Sequence, residues 1–309
     1  MDERGGRLQD AAELERIRAL AIPPAWENVW ICPLPNGHLQ AVGTDAAGRR
    51  QYLYHPTWRI RRDREKFEAM IAFARALPGL RAESERLLRR RGLPKPRVLA
   101  FAVALLDRGL FRVGGEDYAK QNGSRGLTTL QRRHVHLASS DTIEFDYKGK
   151  TGKRLVHAVV DRRLQGIARE LVERPESGKA FLVFADGGAF VDLHADDINA
   201  FIKTVCGGDF SAKDFRTWHA TVLAAASLAR SDEPTTKAGR NRALTEAAET
   251  VAEALGNTPA ISKTSYIDPR VFDLYRSGTT ISRRSANRLF EQGEHDAAER
   301  AVIRLLAKS

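Results

Sequence analysis

The chain has 309 residues, 42% hydrophobic and 29% charged, enough apolar surface for a packed core, which excludes disorder throughout. Its longest apolar run, Val98 to Leu106, is about half of the roughly 20 residues that cross a bilayer. It reads as a buried helix, so no membrane span is expected. Lys and Arg number 50 against 39 Asp and Glu, and the net charge of +11 fits either a polyanionic partner, most often nucleic acid, or simply a solvated basic surface, between which composition alone does not choose. Cys32 and Cys206 lie far apart with no CxxC, which disfavours a zinc knuckle or redox motif and fits a reducing cytoplasm. The opening MDERGGRLQD has no apolar stretch, so no secretory signal is expected.

In chain order, Leu14 to Leu20 can form a short helix that ends at Pro23-Pro24. Short strand-like segments follow, Trp26–Cys32, His38–Gly43 and Gln51–Tyr54, separated by Pro35-Asn36-Gly37 and Asp45–Gly48. They predict a small antiparallel sheet. A basic stretch, Trp58 to Arg64, marks the expected junction between an N-terminal domain of residues 1–65 and a C-terminal domain of residues 66–309. Beyond it, Phe67–Leu77, Arg81–Arg91 and Arg97–Leu110 show helical periodicity, punctuated by Pro78-Gly79 and Gly92-Leu93-Pro94. The period then falls to two in Arg133–Leu137, Thr142–Tyr147 and Arg154–Val160, which predicts a three-stranded antiparallel sheet. Helices resume at Asp161–Glu173, Asp196–Val205, Lys213–Arg230, Leu244–Leu255 and Ala297–Lys308, and Asp268-Pro269 starts another. The expected class is α+β: a small β-sheet domain and a larger, mostly helical one.

Arg112 follows an apolar helix, where an arginine ordinarily serves the helix end. Lys150 sits at the tip of a Gly-rich hairpin, flanked by Lys148 and Lys153. Tyr266 lies between two helices, where a tyrosine ordinarily packs. With Arg216, in Lys213-Asp214-Phe215-Arg216-Thr217, they occur in the order Arg–Lys–Arg–Tyr, and this set is hard to explain as four coincidences. Gln51-Tyr52-Leu53-Tyr54, Arg61-Arg62-Asp63-Arg64, Phe111-Arg112-Val113-Gly114, Gly126 to Leu130, Gly149-Lys150, Lys213 to Thr217 and Ser262 to Tyr266 together resemble, in order, the motifs of type IB DNA topoisomerases of the compact bacterial and poxvirus kind.

That resemblance implies a monomer that closes two lobes around double-stranded DNA and relaxes supercoils through a 3′-phosphotyrosyl intermediate, without ATP, metal or other cofactor, in the cytoplasm at the nucleoid. It implies that Tyr266 is the nucleophile, that Arg112 and Arg216 clamp the non-bridging oxygens, and that Lys150 is the general acid. On sequence alone Lys148 and Lys153 remain rivals of Lys150, and the acceptor of the Tyr266 proton is Arg112 or water. The family commonly has a histidine nine residues before the tyrosine, and this chain has Asn257 there. An amide can still donate to a phosphate oxygen but carries no charge. DNA contacts are expected from Arg49, Gln51, Tyr52, Tyr54, Arg62, Tyr118 and Lys213, with Tyr52 and Tyr54 on one strand face. The basic stretch Arg81–Arg97 reads as a solvated helix face. His134 and His136 lack a third ligand, so no metal is expected. Two other readings compete. A tyrosine recombinase usually carries His-x-x-Arg where this chain has Lys213-Asp214-Phe215-Arg216. A DNA-binding clamp without catalysis has only Asn257 in its favour.

Overall fold

A computed structural model describes residues 6–116, 119–120, 123–150, 152–175, 178–231 and 236–308. Tyr118, an expected DNA contact, lies outside them. The chain divides into two compact units, Met1–Glu68 and Ala69–Ser309.

The first unit opens with helix α1 (Ala11–Ala19), whose N-cap Asp10 accepts from the Ala12 and Glu13 amides. Strands β1 (Glu27–Ile31), β2 (Leu39–Thr44) and β3 (Arg50–Tyr54) then form an antiparallel sheet in that order. Asp45 closes the β2–β3 turn by accepting from the Ala47 and Arg49 amides at 3.0 Å, and Gly48 supplies the positive φ of 74°.

Helix α2 (Pro56–Leu88) runs straight through Pro78, where the sequence predicts a break. A proline inside a helix costs about 3 kcal/mol. Phe73, Leu77, Leu80 and Leu87, all nearly inaccessible, continue one apolar stripe on both sides of it, and each contributes about 1.5–3 kcal/mol on burial. Packing therefore outweighs the local preference.

In the second unit α3 (Lys95–Gly109) is the most buried early element. Strands β4 (Val135–Leu137), β5 (Thr142–Lys148) and β6 (Arg154–Val160) form the second antiparallel sheet. Ile143, Phe145 and Tyr147 alternate inward along β5. Helix α4 (Arg162–Glu173) follows, then a hairpin of β7 (Val183–Asp186) and β8 (Ala189–Asp192). Its turn, Gly187-Gly188, has both φ values positive. This hairpin is an addition to the sequence reading, although its Gly-Gly signal is plain. The remaining helices are α5 (Ala195–Cys206), α6 (Ala212–Arg230), α7 (Lys237–Leu255), α8 (Pro259–Ser265), α9 (Pro269–Arg276), α10 (Arg283–Gln292) and α11 (His295–Leu306). Helices α8 and α10 are also additions, and α7 begins well before the expected Leu244. Among the described residues no helix is long and apolar enough to cross a membrane.

The stretch Arg81–Arg97 is a solvated face in its middle, where Arg86, Arg89, Arg90 and Arg91 are exposed, but not at its two ends. Arg81 pairs with Asp107 at 2.7 Å and with Glu299 at 2.7 Å, and Arg97 is buried against Glu170 at 2.6 Å. These arginines tie helices together.

Candidate active site

Arg216 organises the site. It enters at the start of the second turn of α6, a helix that Ser211 and Asp214 open with a reciprocal cap, the Ser211 amide donating to Asp214 at 2.7 Å. Its guanidinium donates to two carbonyls, Leu110 at the end of α3 and Leu255 at the end of α7, the latter at 2.9 Å. Helix C-termini carry unsatisfied carbonyls and negative partial charge, so two of them hold one buried cation. Arg112 does not cap α3, as its position after an apolar helix suggested; Arg216 does.

The chain segments leaving those two helix ends carry the next two groups. After α3, Leu110 takes a left-handed conformation (φ 54°) and Gly109 leaves room for the Phe111 ring, which a Cβ would meet at 2.1 Å. Phe111 packs against Phe145, Tyr147 and His157. Arg112 is thereby turned outward. Its strand is pinned by Leu127 and Thr128, whose amides donate to the Arg112 and Val113 carbonyls at 2.8 Å. The two backbones cross at Gly114 and Gly126, where a Cβ on Gly126 would lie 2.5 Å from Gly114 Cα. After α7, Gly256 (φ 60°) turns the chain and Asn257 donates its amide back to the Ala252 carbonyl at 2.9 Å. The side chains meet: Arg112 donates to Asn257 Oδ1.

Tyr266 is the C-cap of the short helix α8, and its ring lies 5.4 Å from the Arg216 guanidinium. The buried hydroxyl of Thr221, on α6, holds the following turn: it lies 3.3 Å from the Tyr266 carbonyl and accepts from the Asp268 amide at 3.1 Å. Lys150 comes from the β5–β6 turn, closed by the Gly149 amide on the Lys153 carbonyl at 2.9 Å. A cleft of 250 Å³ is lined by Arg112, Lys150, Lys213, Arg216 and Tyr266, together with Ser124, Arg125 and the Gly114-Gly115 turn. Lys148 and Lys153 are not in its lining.

Two buried donors beside the cleft, Arg216 Nε and Asn257 Nδ2, have no hydrogen-bond partner among the described residues. Unpaired buried donors are costly, and here they sit among positive charges, an arrangement that suits an anion.

A family profile for the catalytic core of eukaryotic DNA topoisomerase I matches residues 55–288, and one for the N-terminal domain of bacterial DNA topoisomerase IB matches residues 1–45. The chain belongs to the type IB DNA topoisomerases. It is similar to DNA topoisomerase 1B of Acanthamoeba polyphaga mimivirus, 32% identical over 86% of this chain and 80% of that protein. The vaccinia virus (strain Copenhagen) DNA topoisomerase 1B is 23% identical over 76% of this chain and 72% of its own length. DNA topoisomerase 1 of Daucus carota is 27% identical over 52% of this chain, which spans only 19% of that protein.

In this topoisomerase the electrostatics of the cleft distinguish two tyrosines. Burial pushes the Tyr147 phenol up to about 12. Burial also opposes ionisation of Tyr266, but the charges of Arg216, Arg112 and Lys213 outweigh it and bring that phenol below its ordinary value. Burial and the Arg112 charge lower Arg216 to about 10, still protonated at neutral pH. His157, packed against Phe111 and Tyr147, is lowered by burial and by both arginines.

In the N-terminal unit Tyr52 and Tyr54 are exposed on one face of β3. Tyr54 stacks on Trp58 at 4.3 Å, and Arg62 lies 5.7 Å over the same Trp58 ring. Gln51 falls on the opposite face of the strand and donates to Asp45 at 2.8 Å, and Arg49 pairs with the same carboxylate. Sequence reasoning passed over Trp58 and Arg125. Trp58 had a signal, an aromatic four residues after Tyr54 beside an arginine run. Arg125 had none, because its place in the cleft depends on its amide donating to the Lys148 carbonyl at 2.7 Å.

Proposed function

We propose that this topoisomerase relaxes supercoiled duplex DNA by transient cleavage of one strand. The observation that carries the reading is the pair of unpartnered buried donors, Arg216 Nε and Asn257 Nδ2, next to a tyrosine whose phenol is acidified by its neighbours. Tyr266 Oη attacks the phosphorus and the bond to the 5′ oxygen breaks, leaving a 3′-phosphotyrosyl ester. The phosphodiester bond energy is kept in that ester, so resealing needs no ATP. Arg112, Arg216 and Asn257 donate to the non-bridging oxygens as charge builds there. Lys150 gives a proton to the departing 5′ oxygen and takes it back on religation. No carboxylate lines the cleft among the described residues, and the Tyr266 proton passes to water. The exposed aromatics and arginines of the N-terminal unit add a second DNA contact. The protein acts as a monomer on chromosomal DNA in the cytoplasm. A catalytic set this complete favours the enzyme over an inactive clamp.

The test is relaxation of a supercoiled plasmid in EDTA without ATP, with wild type and Tyr266→Phe side by side. Relaxation by wild type alone, with a covalent protein–DNA adduct after denaturation, is expected. A folded, DNA-binding wild type that neither relaxes nor forms the adduct would overturn the reading.

A further inference from the structure

Away from the cleft, α6 and α11 bring together three side chains that the cleavage chemistry does not use. His219 lies on α6, less than a turn beyond Arg216, while His295 and Glu299 stand one turn apart on α11. His219 and Glu299 are only 4% and 6% exposed. The imidazole rings meet edge to face at 5.4 Å. One ligand atom from each of the three residues lies within 4.8 Å of the others.

Their hydrogen bonding is incomplete in one particular way. His219 Nε2 lies 3.0 Å from Asp107 Oδ1. With the proton on Nε2, His219 Nδ1 presents a bare lone pair. It is buried without a hydrogen-bond partner among the described residues, as is Nδ1 of His295. Glu299 Oε1 is 4.0 Å from His219 Nδ1, too far for a hydrogen bond. Arg81 is shared among Asp107, Asp296 and Glu299. Glu299 is thus held in place by a guanidinium, with Arg108, Arg288 and Arg300 lining a cavity beside it.

We propose that His219, His295 and Glu299 bind Zn²⁺, which fastens the C-terminal helix to the helix that carries Arg216. Two imidazoles and one carboxylate suit zinc, whereas magnesium prefers an all-oxygen shell. Bonds of about 2.0–2.1 Å place tetrahedral ligand atoms about 3.3 Å apart, so the three side chains close inward on binding. Asp107 accepts from the far nitrogen of His219, the usual outer partner of a metal-bound histidine. Glu299 keeps its pair to Arg81 through its remaining lone pairs. The cavity, 460 Å³ in volume, reaches the cluster at His295 and is lined there by Asp107 and Asp296, with Arg81, Arg108, Arg288 and Arg300 also in its wall; His219 and Glu299 lie behind that wall. The proposal does not rest on the cleavage chemistry, since none of these groups lines the cleft.

The experiment is titration of the chelator-stripped full chain with Zn²⁺ in competition with a chromophoric chelator, alongside thermal unfolding and the visible spectrum with Co²⁺. The expected result is one tight equivalent, a higher melting temperature with metal, and four-coordinate cobalt bands. His295 is only half-buried, and His295→Ala is expected to fold and to weaken binding by more than the roughly 10–100-fold that loss of an outer partner costs. His219→Asn, if folded, behaves likewise. No zinc uptake by folded wild type, or equal uptake by His295→Ala, would overturn the proposal.

Discussion

A donor without an acceptor among the described residues is the most informative feature at the scale of single residues. Arg112 donates to Asn257 Oδ1, which orients the amide and leaves Nδ2 as a buried donor with no partner. A histidine at that position contributes a cation when protonated, whereas the amide contributes only a dipole. Removing one preorganised donor from an oxyanion site costs about 10²–10³ in rate. Asn257→Ala is therefore expected to slow single-turnover cleavage of a nicked suicide duplex by about that factor, with duplex affinity unchanged. An unaltered rate would show that Asn257 neither donates to the phosphate nor holds Arg112 in place. Arg216 differs from Arg112 in this respect, because its carbonyl partners make it structural as well. Its replacement removes a charge and uncovers two helix ends at once.

At the scale of elements, the site is built where chain segments emerge from helix ends. The ends of α3 and α7 converge on Arg216, and the residues just beyond them, Arg112 and Asn257, touch each other. The Gly114–Gly126 crossing fixes the first of these segments. A Cβ on Gly126 would approach Gly114 N at 2.6 Å and the Arg112 carbonyl at 2.8 Å, all backbone and unable to swing aside. Gly126→Ala is expected to cost about 1–3 kcal/mol by overpacking and to displace Arg112. Denaturant unfolding and cleavage rate measured on the same preparation test this. A variant with native stability and rate would show that the crossing opens freely. Tyr266 is held in a comparable way by Thr221, one and a half turns along α6 from Arg216, so a single helix positions both the cation and the tyrosine backbone.

At the scale of the whole molecule, the net charge of +11 sets how the protein meets DNA. Not every cation counts toward that contact. Arg81 and Arg97 are committed to carboxylates in the interior, while Arg62 remains exposed beside Trp58 and Lys213 is exposed at the cleft. Affinity of Tyr266→Phe for a labelled duplex is expected to fall steeply with salt, by about 10³ or more between roughly 50 and 200 mM. Arg62→Ala is expected to reduce the slope of log affinity against log salt by about 1. Trp58→Ala lowers affinity with the slope unchanged, because an aromatic face releases no counterion. A slope unaffected by Arg62→Ala would place that arginine away from phosphate.

The hairpin that presents Lys150, the start of α6 and the two antiparallel sheets were legible from local pattern, because periodicity, turn residues and caps act over a few positions; the Arg–Lys–Arg–Tyr set stood out only through the family resemblance. The family was legible for the same reason, as short motifs in a definite order. What only the tertiary structure decided involves residues far apart in the chain. Pro78 could be absorbed into α2 because an apolar stripe on both sides finds a core to fill. The helix-end arginine is Arg216 rather than Arg112 because the carbonyls of Leu110 and Leu255 come together around it. Lys150 lines the cleft and its neighbouring lysines do not, because the turn aims one side chain inward. The unpartnered atoms of Asn257, Arg216, His219 and His295 could not be foreseen at all. Whether a polar atom is satisfied depends on which distant groups packing brings to it, and a sequence records only the groups.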